Sequence, residues 1–149
     1  MTQFSRCMVF VALTGDQVIK AYSMDRNTGA LELRTTSEAH GPIGSLHLHR
    51  PSGIVYGAHV ESTQLSSYSL DTDSGALTHI NTVDTGLATP ALAVTDHSGR
   101  FLITSYYTGG GVTVHRVEAN GGIGELVQRV DTGEKAHAVL LDSTNQFVF

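Results

Sequence analysis

The decapeptide YSMDRNTGAL occupies residues 22–31, and YSLDTDSGAL occupies residues 68–77. The copies lie 46 residues apart, and the wider windows 20–31 and 66–77 agree at six of twelve positions. Three of the differences are mild: Met24 for Leu70, Asn27 for Asp73 and Thr28 for Ser74. A second motif keeps the same step. RPSGIVY begins at Arg50, DHSGRFL at Asp96 and DSTNQFV at Asp142, each 46 residues after the last. A repeat of this length outranks any local reading, because each copy is one structural unit that hides its apolar faces against its neighbours.

The runs between the turn clusters are short and rich in β-branched and aromatic residues, and no long stretch has helical spacing. VIKAYSM places Val18, Lys20, Tyr22 and Met24 on one side and Ile19 and Ala21 on the other; GVTVHRV alternates similarly. The Asp, Asn, Ser and Gly clusters between runs are turns, where Gly and Asn tolerate positive φ and Asp bonds its own backbone. Each repeat then parses into four strands. Strand a reads SLHLHR, ALAVTD or HAVLLD, and strand b reads IVYGAH or FLITSYY. Strand c reads LSSYSLD or VTVHRVE, and strand d reads LTHINTVD or ELVQRVD.

Four antiparallel strands at a period in the mid-forties predict an all-β fold, a β-propeller. The duplicated decapeptides become the c–d hairpins of successive blades. A third copy, VEANGGIGEL at 117–126, is expected to carry two extra residues in that surface turn. The repeats fall at about 1–40, 41–86, 87–133 and 134–149 within one domain. The first opens at strand b in MVFVAL, and the last stops inside strand b. That is a little over three blades, whereas propellers close with about four to eight. The expectation is the N-terminal part of a longer chain, partnered by that chain's remaining blades.

Composition narrows the function classes. The chain has 149 residues, 40% hydrophobic and 15% charged, enough to bury a core. Its formal net charge is −5, and its nine Lys and Arg are scattered. A nucleic-acid partner needs a basic stripe, and electrostatic docking to an acidic membrane needs the same. The single Cys7 permits no internal disulfide and fits a reducing compartment, so the cytoplasm is expected. The apolar run Cys7–Leu13 follows Arg6, as in a signal peptide. It is too short to span a bilayer and no small-residue cleavage site follows, so it reads as a strand.

The phrases YSLDTDSGALTHI, DHSGRFLITSYYTGGGVTVHRV and AHAVLLDSTNQFVF resemble the lactonase-type seven-bladed propellers. That family includes bacterial 6-phosphogluconolactonases of propeller type and the fungal carboxymuconate cyclase. The resemblance covers the whole chain, and its more specific parts are YxGGxVxV at Tyr107–Val114 and the AHA that follows. It implies seven blades, a chain about twice as long, and a lactonase that opens a sugar lactone such as 6-phosphogluconolactone with water. It also implies that arginines and a glutamate needed for charge stabilisation belong to later blades, so that residues 1–149 alone are inactive. No organic cofactor is implied. Two departures stand out: Tyr106 where the family has Asn, and His59-Val60 where it often has Asn-Glu. Two other readings are a lactone-forming cyclase and a non-catalytic propeller serving as a protein-binding platform.

Candidate site residues follow from topology. In a propeller the d–a and b–c loops share one face around the central channel. Here the d–a loops are HGPIG, GLATP and GEKAH, and the b–c loops are LTGDQ, HVEST and YYTGGG. His59, Tyr106, Tyr107 and Lys135 are therefore candidate substrate contacts, and His137 is the candidate catalytic group. In the 46-residue register His137 replaces Ser45 and Ala91. An imidazole there can exchange protons near neutral pH, and the resemblance places the family's catalytic His at the same point. Tyr107 could orient substrate or donate to an oxyanion. Three weaker patterns carry no site. Gly109–Gly111 precede a strand, not a helix, so they form a turn rather than a phosphate cradle. His47 and His49 share a strand face without a third ligand. DTDSG at 71–75 misplaces the glycine of a calcium loop. Asp96 and Asp142 read as structural caps of the a–b turns.

Overall fold

The computed structural model describes residues 7–149. Arg6, and the other residues of the first repeat before Cys7, lie outside that range. Eleven strands run in chain order: β1 (Cys7–Leu13), β2 (Val18–Met24), β3 (Leu31–Glu38), β4 (Ile43–His49), β5 (Ile54–His59), β6 (Gln64–Leu70), β7 (Leu77–Asp84), β8 (Pro90–Thr95), β9 (Phe101–Tyr106), β10 (Gly111–Val117) and β11 (Ile123–Asp131). They form three antiparallel sheets, β1-β2-β3, β4-β5-β6-β7 and β8-β9-β10-β11. No helix occurs among the described residues. Residues 134–149 begin the next repeat, held by a bridge between Leu141 and Val148.

The twin decapeptides make twin turns. Asp25 N–H donates to Ala30 O and Gly29 N–H to Asp25 O, at 2.9 and 2.8 Å. Asp71, Ala76 and Gly75 repeat both bonds at the same lengths. Within each turn the Asp Oδ1 accepts two backbone amides, Asn27 and Thr28 in one copy, Asp73 and Ser74 in the other. These amides hold both carboxyls below their usual pKa, Thr28 and Ser74 contributing most. Asp96 and Asp142 cap the a–b turns in the same way. Asp96 Oδ1 accepts the amides of Arg100 and Phe101, and Asp142 Oδ1 those of Gln146 and Phe147.

The third c–d turn corrects the expectation of two extra residues. It is shorter than its siblings: Glu118 N–H reaches Gly122 O, and Ile123 already pairs with Val117. The surplus lies in β11 as bulges. Each outer strand skips one residue at equivalent places, Arg34 in β3, Ile80 in β7 and Val127 in β11. β11 has a second irregularity between Ile123 and Leu126. A bulge absorbs an extra residue while adding local twist, so the repeat lengthens without disturbing the turn.

Blades stack face to face. Residues of β5 alternate between two cores, and all six are buried. Val55 joins Ile19, Ala39, Ile43 and Tyr68 between the first and second sheets. Ile54, Tyr56 and Ala58 join Ala93, Leu102 and Ile123 between the second and third. Burial on both faces explains why the middle strands lack the polar alternation of a half-solvated sheet. Polar bonds cross the same seams. Thr95 donates its backbone N–H to His47 Nε2 at 3.1 Å, so that nitrogen is unprotonated and also accepts the Thr95 hydroxyl at 2.9 Å. Burial, with the neighbouring His49, lowers the His47 pKa accordingly.

The twin turns give a matched pair of substitutions. Gly29 and Gly75 have φ of +74° and +79°. A Cβ at Gly29 meets nothing within 4 Å, whereas one at Gly75 falls 2.5 Å from Met8 Cε and 3.0 Å from Ala21 Cβ. Gly29→Ala should cost about 1 kcal/mol, the left-handed penalty alone. Gly75→Ala should cost a further ~1 kcal/mol or more, because Ala21 is strand backbone-anchored and cannot yield as Met8 can. Denaturant unfolding of both variants checks this; equal losses would refute the packing argument.

Candidate functional site

The face bearing the d–a and b–c loops is tied together by a belt of main-chain hydrogen bonds. Thr89 N–H donates to Ser62 O at 2.8 Å, Tyr107 N–H to Thr89 O at 2.8 Å, and Lys135 N–H to Tyr107 O. The belt passes from the second blade to the start of the fourth. It requires Thr89 and Lys135, 46 residues apart, to adopt φ of +56° and +69°. Non-glycine residues hold this conformation only where surrounding contacts over-determine it. The amides of Gly109 and Gly110 are spent on Ala88 O and Tyr106 O, so this turn offers no cradle for an anion.

The belt brings three of the predicted residues together. The Tyr107 and His137 rings meet edge to face, centroids 5.6 Å apart and planes at 84°. Such aromatic contacts fix ring orientation as well as burying area. His137 is exposed and Tyr107 half-buried. Lys135 is exposed, with its backbone pinned to Tyr107. An imidazole, a phenol and an ammonium group thus share one stretch of rim.

His59 and Tyr106 do not reach that surface. Both are fully buried. They are equivalent residues, each the last of its strand b, 47 positions apart. Strand alternation turns both into the seam with the preceding blade rather than onto the rim. There each bonds strand c: Tyr106 OH to Thr113 Oγ1 at 2.9 Å, and His59 Nε2 to Ser66 Oγ at 2.8 Å. Burial pushes the Tyr106 pKa up. It pushes that of His59 down, assisted by His40 and His79. Those two histidines were not singled out by sequence reasoning. His40 stands in HGPIG and His79 in strand d, and only the folded seam joins them. Among the described residues, no group of three His, Cys, Asp or Glu is arranged to hold a metal.

The family model for lactonases of the seven-bladed β-propeller type matches residues 8–149. The chain belongs to this family. Among relatives of this lactonase-family chain, the 6-phosphogluconolactonase of Pectobacterium atrosepticum is 29% identical over 142 residues. The match takes in 95% of the chain and 42% of that relative, so the chain spans under half the relative's length. A candidate 6-phosphogluconolactonase from Bacteroides fragilis superposes with a TM-score of 0.87 at 19% identity, covering 99% of this chain and 46% of that one. The periplasmic gluconolactonase PpgL of Pseudomonas aeruginosa gives 0.76 at 18% identity, covering 87% and 38%. These likenesses establish the fold. No helix among its described residues is long and apolar enough to cross a membrane.

The seam position of Tyr106 leads to a measurable distinction. Tyr106→Phe should lose about 1 kcal/mol, the net worth of one buried hydrogen bond, with Thr113 left a partner short. Its KM for any ligand of the rim should stay unchanged. A raised KM with unaltered stability would place the phenol in contact with ligand instead.

Proposed function

We propose that the protein carrying this segment hydrolyses a sugar lactone of the 6-phosphogluconolactone class. The observation that carries the reading is His137: an exposed imidazole, in edge contact with Tyr107, where the 46-residue sequence register puts Ser45 and Ala91. Lactone hydrolysis requires water to lose a proton as it attacks the carbonyl carbon. The ring C–O bond then breaks, and the departing oxygen must gain a proton. One imidazole can serve both transfers in turn. Charge developing on the carbonyl oxygen needs a donor, and the Tyr107 hydroxyl is placed at the same stretch of rim. Lys135 supplies a cation for the acidic group of the substrate. His59 and Tyr106 support this rim from beneath rather than touching substrate. The chemistry calls for no organic cofactor. The similarity to enzymes named 6-phosphogluconolactonase supports the substrate class, and the lone Cys7 supports a cytoplasmic setting.

Three measurements test this reading in protein expressed from its whole reading frame. His137→Ala should leave the thermal melt nearly unmoved, because Ala91 shows that strand a needs no ring there. Turnover, corrected for spontaneous opening, should fall roughly a hundredfold or more, the usual share of a positioned acid–base group. Unchanged turnover with an intact fold removes His137 from the mechanism. Tyr107→Phe keeps the edge contact and Tyr107→Leu discards it. The Leu variant should lose roughly tenfold more in kcat than the Phe variant, through misplacement of the imidazole. Equal losses would assign the effect to the hydroxyl. Residues 1–149 alone should show no turnover; measurable hydrolysis by that segment would overturn the need for further blades.

A further inference from the structure

Thr89 holds a backbone conformation that its residue type resists. It lies in the loop joining β7 to β8, with φ of +56°. A β-branched residue in that region is an outlier, and Pro90 follows it, which restricts its backbone further. Glycine or asparagine would take the same φ at less cost. Conformations of this kind persist only where several contacts hold them, and they gather at functional sites.

The strand pairing itself does not demand the conformation. Ile43 pairs with His59 and Pro90 with Tyr106, so Pro42 holds before β4 the place that Thr89 holds before β8. Pro42 accepts the Val60 N–H at 2.9 Å, as Thr89 accepts the Tyr107 N–H at 2.8 Å. The proline ring keeps φ negative, so that bond alone needs no left-handed backbone. What differs is the preceding peptide. At Thr89 its N–H reaches Ser62 O at 2.8 Å, and its carbonyl, Ala88 O, accepts the Gly109 N–H at 2.9 Å. Pro42 has no N–H to give, and Gly41 O accepts Ile43 N–H within its own loop. The peptide unit is planar, so φ at Thr89 sets how the 88–89 peptide lies relative to the Thr89 carbonyl. One left-handed residue thereby aims three main-chain bonds at two neighbouring loops. The Thr108 hydroxyl donates to Thr89 Oγ1 at 2.7 Å as a fourth contact. Packing is equally close: a Cβ at Gly109 would fall 2.9 Å from Ala88 O and 3.0 Å from Ala88 N.

We propose that Thr89 is a positioning residue for the rim: its left-handed backbone splices the β5–β6 loop to the β9–β10 loop and so fixes Tyr107 in edge contact with His137. The two rings stand on different segments, with centroids 5.6 Å apart. Tyr107 is gripped through its main chain by Thr89 on one side and by Lys135 on the other. Lys135 belongs to the segment that carries His137. The grip of Thr89 comes from the opposite side and ties Tyr107 to the loops of the preceding blade. The effect of Thr89 on turnover passes through Tyr107 and His137, and rests on the hydrolysis proposed above. Its effect on the contact between the rings does not.

The chemical shift of the His137 ring protons, measured by NMR with the imidazole neutral, tests the proposal in protein expressed from its whole reading frame. The Tyr107 ring current displaces that shift, and Tyr107→Leu removes the displacement and so defines its full loss. Thr89→Pro forbids positive φ and reproduces Pro42, and should lose half of the displacement or more. Thr89→Gly keeps φ positive and should retain most of it. Gly109→Ala forces the same two loops apart from the other side. It should behave as Thr89→Pro does, and decides in its place if that variant does not fold. With cooperative melts retained, kcat for lactone opening should fall about tenfold in Thr89→Pro and no more than about threefold in Thr89→Gly, as misplacement of an acid–base group requires. A full displacement in Thr89→Pro, or an equal loss in the Pro and Gly variants, would overturn the positioning role. So would intact turnover in Thr89→Pro where His137→Ala abolishes it. Loss of the displacement as expected, with turnover indifferent to His137→Ala, would sink the hydrolysis reading and leave the positioning of the two rings standing.

Discussion

The structure depends on one constraint: the inner strands of the middle blade have no solvent face. β5 buries all six of its residues, and its neighbours on either side are other blades rather than water. Every polar group that enters such a sheet must find its partner in the seam, because an unpaired one costs as much as a lost hydrogen bond or more. The seams are accordingly written in short polar pairs: His59 with Ser66, Tyr106 with Thr113, His47 with Thr95. Apolar contacts supply the area, and the one of these pairs that crosses between sheets, His47 with Thr95, fixes how the second blade is turned against the third.

The rim follows from that rotation. Once the blades are fixed, their loops come close enough for Thr89, Tyr107 and Lys135 to bond in series through the main chain. Left-handed backbone at Thr89 is bracketed by hydrogen bonds on both sides, and that at Lys135 is pinned through its amide. The side chains offered to solvent, Tyr107 and His137 foremost, are therefore displayed by main chain that belongs to two blades at once. Neither could be placed by one repeat alone.

Much of this was legible in the sequence, for local reasons. The turn at Asp71–Gly75 copies the turn at Asp25–Gly29 because both are closed by a carboxylate on its own following amides, an interaction that needs no tertiary partner. The caps at Asp96 and Asp142 were legible for the same cause. The orientation of His59 and Tyr106 was not. Both end a strand and border a loop, and a one-residue change of parity separates the seam from the rim. Tyr107, one residue on, has the opposite fate to Tyr106. The cluster of His40, His59 and His79 was invisible because its members come from a loop, an inner strand and an outer strand. The length of the third hairpin was misjudged because letters cannot say whether surplus residues enter a turn or a strand.

The bulge shared by the outer strands has a wider consequence. Arg34, Ile80 and Val127 each leave the ladder at the same point of their blade. The inner strands β4 and β8 also skip one residue each at equivalent places, Gly44 and Ala91, but these are common to both blades. A one-residue insertion near the axis would exchange the two faces of a strand and empty both adjoining cores. The same insertion at the periphery enters a ladder already broken there, and β11 has accepted one. Circumference grows with radius, so the outer strand has the most arc to fill. The residue that β11 adds over its siblings is taken up there, away from the inner strands that carry the loops of the rim.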